Sequence, residues 1–328
     1  MYRSKIIGLG GHVPENVVTN FDLEKLMDTS NEWIVERTGI HERRFVTQPC
    51  GSAELALPAC HNAIKDAGIS KEDIELIIAA TTTPEHQIPG TSSYLQALLE
   101  LAPVPTLDIR VQCSGFIYGL ATVEKFIQTG QVKTALVVGG EVLNPFLNWE
   151  DRNSCILFGD GAGAAIVEQV PADSTQRILS SHMLSDGNLW ELFHMPAGGS
   201  NMEVTPERYS QKLNKFKMKG KEIFKIAVKT LSDFANYALT KNQMTVKDLD
   251  WFVPHQANRR IIEAVANRLN LPMEKVLINV DRYGNTSAAT IPTALDEAAR
   301  NGTIKRGQTV LLDAFGAGLT YGSILLRW

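Results

Sequence analysis

Two stretches of this chain repeat each other at long range, which restricts the fold more than any single motif does. Lys71-Glu72-Asp73-Ile74-Glu75-Leu76-Ile77-Ile78 is similar to Val246-Lys247-Asp248-Leu249-Asp250-Trp251-Phe252-Val253. Downstream of the first run lies Cys113, then Gly130 17 residues later and the apolar run Ala135 to Val138. Downstream of the second lies Asn285, then Gly302 17 residues later and the apolar run Val310 to Leu312. His255 stands two residues past the second run. Such spacing predicts a duplicated α/β unit, with Cys113 and Asn285 at matching places in the two copies. It converges a thiol, an imidazole and an amide on strand-to-helix junctions, where chemistry is often found.

The apolar runs Ile74 to Ala79, Ala135 to Val138, Ala164 to Val167, Trp251 to Val253 and Val310 to Leu312 are continuous. Continuous runs suit strands buried on both faces, as in layered α/β folds. Ser114 to Thr129 is apolar nearly all round and predicts a buried central helix, with Gly130 after its end. Asn258 to Leu269 predicts a second helix. Pro292 predicts that the helix matching Ser114–Thr129 starts late or kinks. Gln169 to Ser174 reads as the linker between halves, giving units of residues 1–173 and 174–328. Residues 196–221 read as a polar, lysine-rich surface excursion.

With 328 residues, 44% of them hydrophobic and a net charge of −4, the chain buries a large core and carries no global signature for nucleic acid. Met1 to Lys5 leads into only a short apolar run, so neither a signal peptide nor a membrane span is expected, and a cytoplasmic protein is. Four cysteines without a CxxC make no disulfide framework, and the histidines show no metal-ligand spacing. The glycosylation sequons at Asn285 and Asn301 carry nothing without secretion.

Cys113 precedes the buried helix. There the helix dipole and unpaired N–H groups favour thiolate, the form that attacks thioesters. For Cys50, Cys60 and Cys155 a structural role is the simpler reading. Taken singly, His255 would be a hydrogen-bonded core histidine and Asn285 a helix cap; the repeat argues for both as site residues. Gly8-Leu9-Gly10-Gly11 mimics a dinucleotide fingerprint, but His12-Val13-Pro14 stands where its helix should begin. Gly159-Asp160-Gly161-Ala162-Gly163 reads as a tight turn between strands. Gly316-Ala317-Gly318 reads either as a plain turn or as a place where backbone N–H groups approach a reacting carbonyl. The run Lys212, Lys215, Lys217, Lys219, Lys221 and Lys225 is a solvated face or a landing for an acidic partner.

Five motifs together carry a family resemblance: Asp28 to Ile34 with Arg37-Thr38-Gly39-Ile40, Cys113-Ser114-Gly115-Phe116, Phe158 to Ala164, Val253 to Asn258, and Gly284 to Ala289. Over essentially its whole length the chain resembles the β-ketoacyl-acyl carrier protein synthases III of bacterial fatty acid synthesis. The resemblance implies a thiolase-like fold, with two pseudo-symmetric α/β halves packed as a layered α-β-α-β-α core, and a homodimer. It implies that Cys113 takes an acyl group from acyl-CoA, with its own N–H and that of Ala317 as oxyanion hole. Glycine is usual in the family at the Ala317 position. His255 and Asn285 would hold the thioester oxygen of malonyl-acyl carrier protein through decarboxylation. Neither of these neutral donors would oppose the enolate as a carboxylate would.

The same resemblance gives Thr29, Trp33, Arg37, Arg152, Ile156, Gly220, Lys221, Phe224, Asn258 and Arg260 as coenzyme A and pantetheine contacts. Within that set Trp33 and Arg152 would sandwich the adenine and Arg37 and Arg260 would meet phosphate. Lys221 stands where the family often has asparagine. Lys225, Arg260 and Arg268 would meet the acidic carrier protein. Ile88, where some members of the family have phenylalanine, and Gln112, where the family often has alanine, would shape an acyl pocket with room for longer or branched primers. Acyl-CoA and malonyl-acyl carrier protein are the substrates, and no further cofactor or metal is implied. Three competing readings are a specialised-pathway synthase or plain acyltransferase on the same scaffold, a Cys/His/Asn protease, and a non-catalytic acyl-CoA-binding protein.

Overall fold

The apolar runs do become fully buried strands, and they assemble into two sheets of the same design. A computed structural model describes residues 2–328. The first sheet takes β1 (Arg3–His12), β2 (Leu76–Ala80), β3 (Thr106–Ile109), β4 (Thr134–Glu141) and β5 (Gly161–Val170) in the order β1-β5-β4-β2-β3. The second takes β6 (Arg177–Ser185), β7 (Trp251–Pro254), β8 (Thr309–Gly316) and β9 (Thr320–Arg327) in the order β6-β9-β8-β7. In each sheet one parallel pair, β2 with β4 and β7 with β8, is continued by two antiparallel neighbours. Where β3 flanks β2, the second sheet has only a single parallel bridge, Phe252 to Val276.

The repeat is in register through most of the unit. β2 and β7 begin 175 residues apart, and so do β4 and β8 (251 − 76 and 309 − 134). The short 3-10 turns Gln112–Ser114 and Ser287–Ala289 are again 175 apart (287 − 112). This corrects the sequence alignment at its most important point. Cys113 lies inside its turn, and the residue in its place in the second copy is Ala288, not Asn285. Asn285 stands two residues before the turn. The equal spacing to Gly130 and Gly302 arises because the second helix is three residues shorter, 11 against 14. The loop that follows it restores the register.

Those two helices, α3 (Gly115–Gln128) and α6 (Thr290–Arg300), lie between the sheets and touch strands of both. Helix α3 is apolar nearly all round because it has two faces to satisfy. Phe116, Ile117, Leu120, Val123 and Ile127 are all buried, each contributing roughly 1.5–3 kcal/mol of transfer free energy. Pro292 sits in the first turn of α6, which starts late, after the 3-10 turn, as proline requires. Helix α2 (Ser52–Ala67) covers the outer face of the first sheet. Helices α4 (Gly220–Lys241) and α5 (Arg259–Leu269) cover that of the second, completing five α-β-α-β-α layers. The segment between the sheets, 171–176, is short, and residues 196–219 are largely irregular.

The glycine-rich stretches have packing roles. Gly8 and Gly10 lie in β1, where an added Cβ would stand 2.4 Å from the Ala63 carbonyl oxygen and 2.1 Å from that of Ala59. Helix α2 rides directly on the strand backbone there. Gly161 to Gly163 open β5 instead of forming the expected turn. Ahead of them, the Asp160 carboxylate accepts from Leu143 N–H at 2.7 Å, Asn144 N–H at 3.1 Å and Val46 N–H at 2.9 Å. Burial nevertheless pushes its carboxyl up to about 6. In Asp160→Asn the amide NH₂ would confront one of these N–H donors. We expect a loss of about 1–3 kcal/mol by denaturant titration, even though a buried charge is removed. Unchanged stability would contradict this account of the loop.

Candidate active site

Cys113 is brought to the middle of the molecule by the 3-10 turn that leads into α3. Gln112 enters that turn with φ at +48°, a conformation uncommon for a side chain of its size. The thiol is buried, which pushes it up to about 12; a hydrogen bond with Ser287 pulls it down, and the buried Glu141 carboxyl pushes it up again. Burial thus works against the N-terminal dipole of α3. Glu141 is held by Thr82 N–H at 3.0 Å and by the Thr82 and Thr83 hydroxyls at 3.1 and 2.9 Å.

His255 follows β7 and is 3% exposed. Its backbone N–H donates to the Asp313 carbonyl at 2.8 Å, so β8 fixes its position. Burial lowers its ring to about 3, leaving a neutral imidazole at physiological pH. Nδ1 lies 2.7 Å from Thr290 Oγ1, while Nε2 has no hydrogen-bond partner among the described residues.

Asn285 is held by both halves. Its N–H donates to Leu157 O at 2.8 Å and its carbonyl accepts from Gly159 N–H at 3.1 Å, a parallel bridge to Phe158. Its side-chain oxygen accepts from Ser287 N–H at 2.8 Å. A backbone N–H can only donate, so the partner must be the amide oxygen, and the NH₂ is left free. No hydrogen bond engages that NH₂ among the described residues.

Cys113, His255 and Asn285 line one cavity of about 840 Å³. Phe315, Gly316, Ala317 and Leu319, from the end of β8 and the turn beyond it, line it too. A Cβ on Gly316 would stand 3.0 Å from both Cys113 N and Ser114 N, so β8 and the turn before α3 meet backbone to backbone. Neither the Cys113 nor the Ala317 N–H has a hydrogen-bond partner among the described residues. Gly316→Ala should push these backbones apart. We expect acylation of Cys113 to slow at least about tenfold, with stability lowered by roughly 1–3 kcal/mol. Wild-type acylation in rapid-quench measurements would refute the close approach.

Outward from these groups the cavity is lined by Trp33 and Arg37, on α1 (Asn31–Thr38), by Ile156, by Gly220, Lys221, Phe224 and Lys225 from the start of α4, and by Asn258 and Arg260 from the start of α5. The mouth is therefore basic. The Arg37 and Arg152 guanidiniums lie 4.7 and 4.9 Å from the Trp33 ring, so Arg152 reaches the entrance through Trp33 without lining the cavity itself. Arg260 lies 5.9 Å from the Phe224 ring. Asn258 caps α5, its oxygen accepting from Arg260 N–H at 2.8 Å and its amide donating to Arg37 O at 3.2 Å, which ties α1 to α5.

Besides Arg152, four expected residues do not line the cavity. Thr29 stands beside the N-cap of α1, its hydroxyl buried without a partner. Arg268 lies at the far end of α5, 3.5 Å from Asp233. Ile88 is 88% exposed on the surface stretch after β2, so within its own chain it bounds no acyl pocket. Gln112 is half-buried and shapes the turn before α3. Sequence reading also missed Ser287 and Thr290. Asn285-Thr286-Ser287 contained a signal for the first, because an asparagine oxygen that accepts from the N–H two residues on is an Asx turn. No group of three or more candidate metal-ligating side chains occurs among the described residues.

Residues 107–187 match the family model for 3-oxoacyl-[acyl-carrier-protein] synthase III, and residues 239–328 match the model for the C-terminal part of that enzyme. The chain is 47% identical over 323 residues to a β-ketoacyl-[acyl-carrier-protein] synthase III of Caldanaerobacter subterraneus subsp. tengcongensis, covering 98% of this chain and 97% of the relative. A synthase of the same name from Xanthomonas euvesicatoria is 47% identical over 325 residues, covering 99% and 98%. Among solved structures, the 3-oxoacyl-[acyl-carrier-protein] synthase III of Aquifex aeolicus VF5 superposes with a TM-score of 0.91 at 44% identity, covering 99% of this chain and 100% of that one.

Proposed function

Because the chain belongs to the 3-oxoacyl-[acyl-carrier-protein] synthase III family, the enzymes that join an acyl-CoA primer to malonyl-acyl carrier protein at the start of fatty acid synthesis, we propose a role in that condensation for each group around the cavity. The Cys113 sulfur attacks the acyl-CoA thioester carbonyl. The N–H groups of Cys113 and Ala317 receive the oxyanion, and coenzyme A leaves as its thiol with the proton from Cys113. The thioester oxygen of malonyl-acyl carrier protein then accepts hydrogen bonds from His255 and Asn285. The bond to the malonyl carboxylate breaks, CO₂ departs, and its electron pair forms an enolate held by these two donors. The enolate carbon attacks the acyl-Cys113 carbonyl, the Cys113 sulfur leaves, and a β-ketoacyl-acyl carrier protein results.

The observation that carries this assignment is the cavity shared by Cys113, His255 and Asn285, with the Asn285 amide turned NH₂-free by Ser287. Two neutral donors suit an oxygen that gains negative charge, because they hold it without a proton transfer. The basic mouth supports coenzyme A as the primer carrier. In this reading Trp33, between Arg37 and Arg152, takes the adenine, and Arg37, Lys221 and Arg260 meet phosphate, with Ile156, Gly220, Phe224 and Asn258 along the pantetheine. Lys225, Arg260 and Arg268 would face the carrier protein. Thr29 would act only by shaping the start of α1. The reaction so drawn uses side chains and backbone alone, without a metal or resident cofactor. The family resemblance supports a cytoplasmic homodimer; no helix among the described residues is long and apolar enough to cross a membrane.

The test is intact-protein mass spectrometry after mixing with a panel of acyl-CoAs, then with malonyl-acyl carrier protein. An acyl adduct on Cys113 that disappears as β-ketoacyl product forms is the expected result, and the best primer defines the acyl preference. No adduct from any acyl-CoA would remove Cys113 as nucleophile.

A further inference from the structure

We infer that Thr290 is a positioning residue that sets the tautomer of His255, its hydroxyl donating to Nδ1 so that the ring carries its single proton on Nε2, facing the cavity. This rests on the proposed role of His255 as a donor to the thioester oxygen.

A neutral imidazole has one N–H, and only one of its nitrogens can donate. Nδ1 has a single side-chain partner, Thr290 Oγ1 at 2.7 Å, and Nε2 has none among the described residues. The same hydroxyl lies 3.0 Å from Ser287 O. Two proton arrangements therefore fit the atoms. In one, Nδ1–H donates to Thr290, the hydroxyl donates to Ser287 O, and Nε2 presents a lone pair to the cavity. In the other, the hydroxyl donates to Nδ1 and Nε2–H points at the substrate.

Two features favour the second. Ser287 O already accepts the backbone N–H of Thr290, so it is satisfied without the hydroxyl. In addition, the group that reaches Nε2 is a thioester oxygen, which can only accept. A lone pair on Nε2 would oppose the enolate, whereas an N–H would stabilise it. Thr290 is the first residue of α6, so the inter-sheet helix of the second half reaches the chemistry by this hydroxyl. Ser287 orients Asn285 from the turn immediately before it. One short segment would thus aim both donors.

The second arrangement has a consequence for the first half-reaction. With Nε2 protonated, His255 cannot take the Cys113 proton at that nitrogen, so acylation should not depend on the Thr290 hydroxyl. The first arrangement predicts the opposite, because Nε2 would then be a base.

The test uses the full-length enzyme labelled with ¹⁵N at its 7 histidines, His255 being assigned by its absence in His255→Gln. Long-range ¹H–¹⁵N correlation spectra should show a protonated Nε2 and a bare Nδ1 at His255 in the wild type. Thr290→Val, which keeps the shape and removes the hydroxyl, should condense roughly 10²-fold more slowly, the loss of one oxyanion donor, while acylating Cys113 at the wild-type rate. Thr290→Ser should restore condensation and the wild-type spectrum. A bare Nε2 in the wild type overturns the inference even if the valine variant does not fold. So does a valine variant that condenses normally, or one in which acylation and condensation fall together, whether or not serine rescues. Normal condensation by His255→Gln would instead remove the role of His255 itself.

Discussion

Replacing Cys113 with alanine should leave a protein that takes up no acyl group. We expect no acyl adduct with any acyl-CoA and coenzyme A release at background. The loss should be complete because the sulfur is the atom to which the acyl group bonds, and Cys50, Cys60 and Cys155 do not line the cavity. The fold should survive, since only one buried atom is removed and the turn at Gln112–Ser114 is held by its backbone. His255 and Asn285 are untouched, so CO₂ release from malonyl-acyl carrier protein should persist without a β-ketoacyl product. Mass spectrometry and CO₂ detection on one sample check both statements. An acyl adduct in the alanine variant would show that the nucleophile lies elsewhere.

Asn285→Ala should separate the half-reactions from the other side. Cys113 should acylate at nearly the wild-type rate, while condensation falls roughly 10²–10³-fold, the cost typical of losing one oxyanion donor. The backbone bridge of residue 285 to Leu157 and Gly159 does not involve the side chain, so the strand-like contact should hold. Single-turnover acylation and condensation, measured separately, decide the matter. An equal loss in both would mean that Asn285 serves the architecture and not the enolate.

The strands were legible in the sequence because each is a continuous apolar run buried on both faces, a pattern that depends on few distant residues. The repeat was legible for the same reason. Its finest detail was misread, since a helix shortened by three residues and a loop lengthened by three leave the strand spacing unchanged. Cys113 and Asn285 therefore share a cavity without sharing a position. The cavity residues Trp33, Arg37, Phe224 and Arg260 came from a family resemblance, as nothing local distinguishes them. Ile88 shows the limit of that route: the resemblance makes it a pocket wall, but its own chain leaves it on the surface. Thr290 and Ser287 were invisible because their importance lies in which neighbour's nitrogen or oxygen they meet, and that is set only when α6 is docked between the sheets.

The placement of the chemistry on the seam between two similar halves has an evolutionary consequence. The two sheets with their helices share one design, yet in the proposed reaction the nucleophile comes from one half and both enolate donors from the other. Neither copy can lose its partner and keep the reaction, and neither can change its packing angle without moving one set of groups relative to the other. Selection on catalysis therefore acts on the mating surface as strictly as on the reacting side chains.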